Sequence, residues 1–403
     1  MERPAMKMVL LTAGTRGDVE PFFALARAAA ARGHQVRIAI PENSGADTAG
    51  LDTVSLRMDF ARLVSDQGVS PRAAARTFRT TIRPAVGQLL SAAVEHIVAF
   101  APDVVVYHPK VLSAPAAAQR LGIPAVLVET VPTLTPTREF PSPIISTGSL
   151  GPLNRASYAP ARAATLMFRR ELQAALDLLP PGRTPATETR ATLIPASSHL
   201  LPRPADWPAS VHLTGHWADK PAATEIDDEL AAFLDGGDVV YAGFGSMKAG
   251  DARERGTAII EAARRNGLRT LVAKGWGGIE VPPAVMGGDV LVRESVAHHM
   301  VLPRAAAAIH HGGAGTVHAV ARAGVPSVVV PFIADQPFWG AVLHRRGLGP
   351  QPVPYRKLTA DRLARALSEA RSCRNQAAHT GELMRAEDGT PVAFGVLENL
   401  AGT

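Results

Sequence analysis

One pattern occurs twice in the chain, as "RLGIPAVLV" at 120–128 and as "RAGVPSVVV" at 322–330. Each copy reads as the end of a helix, a glycine stop, a proline and then an apolar run fit for a buried strand. One such match is also what chance gives, because Gly-Val-Pro before a strand is a common connection. The surroundings decide between the two. The first half carries further strand-like runs at "KMVLLTA" (7–13), "HQVRIAI" (34–40), "DVVVY" (103–107) and "PAVLVE" (124–129). Helical stretches from Val19 to Ala31 and from Ser113 to Arg120 lie among them. The second half has its own runs at 238–246, 269–275, 305–311 and 326–332. Strands spaced by helices imply parallel sheets covered on both faces. The expected fold class is therefore α/β, with two doubly wound Rossmann-like domains.

The prolines mark where one domain yields to the next. Pro202, Pro204, Pro208 and Pro221 punctuate 200–228, where periodicity is lost. The expected division is 1–205 for the first domain, 206–225 for a linker and 226–385 for the second domain. A C-terminal helix over 386–403 is expected to return to the first. A Pro/Thr/Ser-rich stretch at 130–152 follows a strand's C-terminal end and is expected to act as a lid or binding loop.

Composition excludes several function classes. The formal charge is +6, from 42 Lys+Arg against 36 Asp+Glu, without a run of five or six like charges. No nucleic-acid partner is therefore expected. The single cysteine, Cys373, rules out an intrachain disulfide and any multi-cysteine metal site. The apolar run near the N-terminus leads into a glycine turn and reads as a first strand, not a signal peptide. No apolar stretch is long enough for a membrane span. The expectation is a cytoplasmic protein without stable membrane insertion.

The chemistry concentrates in "HHGGAGTVHAVARAGVPSVVVPFIADQPFWG" (310–340). A buried strand runs into Gly312, Gly313 and Gly315, which let a ligand approach the backbone. Thr316 is placed to cap or begin the following helix, whose free N–H groups suit an anion. No acid lies between His310 and Thr316, and His311 can donate to a phosphate oxygen. A plain strand–helix turn is the competing reading. Asp335 and Gln336 follow the next strand on the same rim, an acceptor beside a donor–acceptor, suited to vicinal sugar hydroxyls. Phosphate on one side and polyol on the other describe a nucleotide sugar.

The N-terminal "TAGTRGDVEP" lacks the three glycines of a dinucleotide fingerprint and places Asp18 at the helix start, where a carboxylate repels diphosphate. Asp18 is either an acid facing the cleft between domains or a dipole-stabilised cap. Thr15, His108 and Glu129 are candidates for contact with a second substrate. His34 and His310 read as structural, Trp339 and Trp276 as aromatic walls or packing, and the Arg-rich stretch 72–83 as a solvated face.

Together "GTRGDVEP" (14–21), "FGSM" (244–247), "KGWGG" (274–278), "HHGGAGT" (310–316) and "PFIADQPFWG" (331–340) resemble the signature of family 1 glycosyltransferases. Within that family the likeness is to bacterial natural-product and sterol glycosyltransferases. The resemblance implies the GT-B fold, two domains facing across a cleft. It implies that Ser246, His311, Gly313, Gly315 and Thr316 hold the donor diphosphate and that Asp335 and Gln336 hold the sugar. Val296 and Arg293, in "VRESVAHHM" (292–300), would meet the base and ribose. Many relatives have histidine where this chain has Asp18, so Asp18 takes the place of the general base in an inverting transfer. No Asp-x-Asp occurs, so neither a metal nor another cofactor is expected. The expected donor is a UDP- or TDP-sugar and the expected acceptor a hydroxyl of a hydrophobic small molecule. Glycosylation of a sterol or lipid at a membrane surface, epimerisation on the same fold, and non-catalytic binding of a nucleotide sugar remain as alternatives.

Overall fold

The structure is a computed structural model that describes residues 5–14, 16–45, 47–59, 76–180, 189–218, 226–245, 247, 249–275 and 277–401. Thr15, Ser246, Trp276 and residues 72–75 lie outside the described residues.

Two parallel sheets form the frame. The first contains β1 (Lys7–Leu11), β2 (Gln35–Glu42), β3 (Asp52–Asp59), β4 (Val104–Tyr107), β5 (Ala125–Val128), β6 (Ala191–Ile194) and β7 (Val211–Leu213), in the order β3-β2-β1-β4-β5-β6-β7. The second contains β8 (Val239–Gly243), β9 (Arg269–Ala273), β10 (Val290–Arg293), β11 (Ala305–His310) and β12 (Ser327–Val329), in the order β10-β9-β8-β11-β12. Every pairing is parallel. The helices are α1 (Arg16–Ala30), α2 (Arg83–Phe100), α3 (Ser113–Leu121), α4 (Ala159–Met167), α5 (Arg169–Leu176), α6 (Asp228–Asp235) and α7 (Ala252–Arg265). They continue with α8 (His298–Val301), α9 (Ala314–Ala323), α10 (Gln336–Arg345), α11 (Ala360–Ala370), α12 (Arg374–Ala386) and α13 (Gly389–Ala401).

The period of two along each strand splits its side chains between two apolar layers. Val9 and Leu11 pack against Leu89, Leu90 and Ile97 of α2 and Ala117 of α3. Met8 and Leu10 point the other way, against Phe22 and Leu25 of α1 and Phe394 and Leu397 of α13. In the second sheet Val240 and Ala242 meet Ile259 of α7 and Leu363 and Leu367 of α11. Val239 and Tyr241 meet Leu230, Phe233 and Leu234 of α6. A further apolar layer joins the two sheets: Ile194, Leu200, Leu201 and Trp207 pack with Val317, Phe338, Trp339 and Val342.

The sequence pattern did not announce β3, β6, β7 or β10. Three of them span three or four residues, and β3 mixes exposed with buried positions while holding Arg57 at φ 56°. Strand β7 lies inside 206–225, the stretch read as a linker from its prolines; it pairs with β6 from Val211 to Leu213, so the first sheet extends that far. Helix α1 begins at Arg16, three residues before the expected start, and carries Pro21 inside it.

Strand order reverses between β1 and β4 in the first sheet and between β8 and β11 in the second. Crevices open at such reversals, beyond the carboxyl ends of the strands. The central strands end level with each other, Leu11 beside Tyr107 and Gly243 beside His310. The segments that leave these strand ends hold Asp18, His108 and the glycine bend after His310, while Asp335 and Gln336 follow β12, Glu129 follows β5 and Arg293 ends β10.

Candidate active site

At the first reversal, Asp18 occupies the first turn of α1, where the helix dipole favours its charge. The turn after β4 brings two donors to it. His108 Nε2 lies 3.3 Å from Asp18 Oδ1, and Lys110 Nζ lies 2.9 Å from Oδ2. The Lys110 backbone N–H donates to His108 Nδ1 at 3.2 Å, so the ring proton sits on Nε2 and points at the carboxylate. His108 is thus a donor with its other nitrogen occupied, and it has no free lone pair with which to take a proton. Burial works against charge on Asp18, but the Lys110 ammonium and then the His108 hydrogen bond overrule it, holding the carboxyl far below the usual carboxylate range. Burial likewise lowers His108, against the pull of Asp18.

Gly14 makes this arrangement possible. At φ +140° it adopts a conformation rare for side-chain-bearing residues, and a Cβ there would lie 2.0 Å from Asp18 Oδ2 and 2.5 Å from Lys110 Nζ. The motif reading found Asp18 and His108 but missed Lys110. The available signal was a cation two residues after a strand-end histidine, in "YHPK".

At the second reversal, the chain leaves β11 through His311 and bends at Gly312 (φ +90°). Gly313 is the N-cap of α9, and the first helical bond runs from Val317 N–H to Gly313 O at 2.9 Å. The N–H groups of Ala314, Gly315 and Thr316 therefore lack helical acceptors, and no acid stands in that first turn. Thr316, expected to cap or begin the helix, is its third residue. A Cβ on Gly313 would meet His311 Nε2 at 2.4 Å, whereas a Cβ on Gly315 would meet nothing within 4 Å. The space before Gly315 is open. Burial pushes His311 down to about 4, against the opposing pull of the Gly243 carbonyl, so its imidazole is neutral at neutral pH. His310 is fully buried and accepts from Gly312 N–H at 3.2 Å, a packing role.

Asp335 precedes α10 and follows Ala334, whose φ of 57° is unusual for a residue with a side chain. Burial, reinforced by the negative charge of Asp18, raises Asp335 to about 6. The two acids thus lie within electrostatic reach of each other. Gln336 turns its carboxamide oxygen back to the N–H groups of Phe332 (2.8 Å) and Ile333 (3.1 Å) and its nitrogen toward Met247 Sδ (3.3 Å).

The remaining candidates are more committed to structure. Glu129 is fully buried and accepts from Leu134 N–H at 2.6 Å and from the Thr135 hydroxyl, fixing the start of the 130–152 loop. Thr137 and Arg138 N–H both bond Asp206, and Phe140 reaches Phe338 of α10 at 5.6 Å. Ile144, Ile145, Leu150 and Leu153 of the following chain are exposed. The Arg293 guanidinium is engaged by Glu229 (2.6 Å) and Asp227 (3.0 Å) at the start of α6, and Val296 packs half-buried beside the same helix. Trp339 is fully buried between the sheets. His34 stacks on Phe394 and accepts from Met6 N–H. Arg83, at the described end of the Arg-rich stretch, pairs with Glu171 at 2.8 Å. Among the described residues no group of three or more His, Cys, Asp or Glu is placed to hold a metal ion. No helix among them is long and apolar enough to cross a membrane.

Comparison with known proteins agrees with this layout. Residues 8–134 match the glycosyltransferase family 28 N-terminal domain, and residues 281–400 match the erythromycin biosynthesis protein CIII-like C-terminal domain. The O-mycaminosyltylonolide 6-deoxyallosyltransferase of Streptomyces fradiae is 32% identical over 99% of this chain and 98% of its own length. The vancomycin aglycone glucosyltransferase of Amycolatopsis orientalis is 30% identical, over 91% and 90%. The sterol 3-beta-glucosyltransferase UGT80A2 of Arabidopsis thaliana is 32% identical over 91% of this chain, which spans 60% of that protein's length. Among solved structures, the glycosyltransferase of kitacinnamycin superposes with a TM-score of 0.73 at 18% identity, covering 98% of this chain and 99% of the other. SnogD from Streptomyces nogalater gives 0.69 at 20% identity, covering 99% and 100%. These two likenesses establish the fold, and the sequence relatives establish the kinship. The chain belongs to the family 1 glycosyltransferases of the GT-B fold.

Proposed function

We propose that this chain transfers a sugar from a UDP- or TDP-sugar to a hydroxyl of a hydrophobic small molecule, a secondary metabolite, with inversion at the anomeric carbon. The observation that carries the proposal is the opposition of the two crevices, a fixed carboxylate on one side and a glycine bend with free helix N–H groups on the other. In this reading the donor diphosphate lies against Gly313, Ala314, Gly315, Thr316 and His311; the sequence motif adds Ser246, which lies outside the described residues. Backbone N–H groups at a helix start meet the charge that develops on the leaving group, and no metal is required. Asp335 and Gln336 hold the sugar, and Val296 and Arg293 border the base and ribose.

Asp18 takes the proton of the acceptor hydroxyl. An aspartate so firmly ionised is a weak base, and it serves because the hydroxyl becomes acidic once the bond to the leaving group has largely broken. Asp18→Asn is expected to lower kcat by about 100- to 10,000-fold while leaving donor affinity within a few-fold. The test is product formation from UDP-glucose and TDP-glucose with a panel of macrolide, glycopeptide and sterol acceptors, together with calorimetric binding of UDP. An Asp18→Asn enzyme of normal turnover would remove Asp18 from the mechanism.

The kinship to UGT80A2 and the exposed Ile144, Ile145, Leu150 and Leu153 favour one second reading, glycosylation of a sterol at a membrane surface. Flotation with sterol-containing liposomes separates the two: co-migration supports the membrane reading.

A further inference from the structure

The sequence motifs assign no role to Lys110. Its place in the fold is unusual for a surface lysine. The turn His108–Pro109–Lys110 supplies one donor to each oxygen of a single carboxylate, Nε2 of His108 to Oδ1 and Nζ of Lys110 to Oδ2. The backbone of Lys110 also fixes the His108 tautomer that makes the first of these contacts. Gly14 leaves the space that the Asp18–Lys110 pair fills. Among the described residues, the charged groups coupled to Asp18 from neighbouring elements include His108, Lys110 and, across the cleft, Asp335. On its own helix, Arg16 and Glu20 pair with each other at 2.5 Å in solvent.

We infer that Lys110 is a positioning residue for sugar transfer: with His108 it fixes the Asp18 carboxylate as an anion held ready for the acceptor hydroxyl. The inference rests on the reading of Asp18 as proton acceptor and adds a cause for its readiness. Two carboxylates facing across one cleft disfavour each other's ionisation, and a proton tends to settle on one of them. The Lys110 ammonium opposes this for both: it holds Asp18 charged and pulls against the elevation of Asp335. Two effects compete. A cation on Oδ2 lowers the basicity of Asp18, and it secures the ionised form and the side-chain geometry. Where proton transfer trails leaving-group departure, availability and aim matter more than basicity, so the net effect of Lys110 favours turnover.

The test uses the full-length, ligand-free chain with 13C in the aspartate side-chain carboxyls. The Asp18 resonance is identified by its loss in Asp18→Asn. In the native chain the Asp18 resonance is expected to stay that of a carboxylate throughout the pH range in which the chain is folded. In Lys110→Met it should titrate within that range, because burial and Asp335 are then opposed by His108 without the Lys110 ammonium. Lys110→Arg should return it to near the native behaviour. With UDP-glucose and the acceptor identified by the panel, or with water in its place, Lys110→Met should lower kcat about 10-fold or more with donor KM nearly unchanged. The acidic limb of its kcat profile should rise in step with the Asp18 resonance. An Asp18 titration unmoved in Lys110→Met, or an unmoved acidic limb, would overturn the inference while leaving Asp18 as base. Normal turnover by Asp18→Asn would overturn both.

Discussion

Asp335 carries a charge that its surroundings resist. Burial and the facing Asp18 raise its carboxyl to about 6, whereas the unfolded chain binds that proton only near 4. Between these values the folded state holds more protons than the unfolded one, so stability falls as pH rises through the window. Above pH 6 the penalty is complete, on the order of 1–3 kcal/mol after allowance for partial solvent contact. Asp335→Asn should therefore raise the unfolding free energy by about that amount at pH 7.5, with the gain fading by pH 4. Thermal or urea unfolding at the two pH values checks this; equal gains at both would refute the electrostatic origin. At this scale the sequence marks the candidate acids but not how they are charged. Asp18 and Asp335 both stand out as acids on strand rims. That Asp18 is held ionised follows from Lys110, 92 residues away along the chain, whereas Asp335 is pushed toward neutrality by its burial and by the charge of Asp18. Nothing local to either acid encodes that contact.

At the scale of the element, the bend before α9 separates glycines that the backbone needs from one that a ligand would need. Gly312 sits at φ +90°, and a Cβ there would meet Val329 Cγ1 at 2.7 Å and Gln336 O at 3.0 Å. Gly312→Ala should destabilise the fold by about 2–3 kcal/mol. Gly315 lies inside the helix, with open space before it. Gly315→Ala should leave stability unchanged or slightly raised, by a few tenths to about 1 kcal/mol, because alanine is the better helix former. Its methyl would project where the diphosphate is proposed to lie, so UDP affinity should fall about 10-fold. Melting curves and UDP titrations on both variants check the contrast; unaltered UDP binding by Gly315→Ala would move the diphosphate elsewhere. The bend was legible because glycines between a buried strand and an amphipathic helix leave few alternatives. The start of the helix was misjudged by residue type. Thr316 is a good capping residue, but Gly313 already adopts extended backbone (φ −65°, ψ 144°) at the cap. Strand β7 escaped notice for a related reason: three residues among prolines carry no periodicity, and only the waiting edge of β6 makes them a strand.

In the whole molecule, the two sheets are joined by a neutral histidine. His318 donates from Nδ1 to Ala314 O at 2.7 Å and accepts at Nε2 from Ser197 N–H at 3.2 Å, across the boundary. It stacks on His216 and lies edge-on to Trp339. Burial pushes His318 down to about 4, and His298, His310 and His311 are similarly depressed, to about 4, 3 and 4. For these groups the unfolded chain binds the proton first, so stability is lost as pH falls from about 6.5 toward 4. A fall in unfolding temperature over that range is the expected result. His318→Gln removes one titrating group from the boundary and should flatten the acid limb, at a cost of about 1–3 kcal/mol at pH 7.5. An acid limb as steep as that of the native chain would show that His318 does not contribute to it. The two-sheet architecture was legible from repeated strand–helix units. The joint was not, because Ser197 and His318 lie in segments read as belonging to separate domains.

Helix α13 lays Phe394 and Leu397 onto the Met8 and Leu10 face of the first sheet, beside His34. The backbone of Gly389 meets that of Gly215 so closely that a Cβ on Gly389 would lie 2.5 Å from the Gly215 carbonyl oxygen. During synthesis, strands β1 to β7 emerge long before this covering helix exists. On that side of the first sheet the part not already covered by α1 must therefore wait, its apolar surface exposed, until residue 397 has cleared the ribosome tunnel. The second sheet, complete in sequence by Val329, is free to assemble during that delay. Order of emergence and order of completion run in opposite directions, so the unit made first is the last to be sealed.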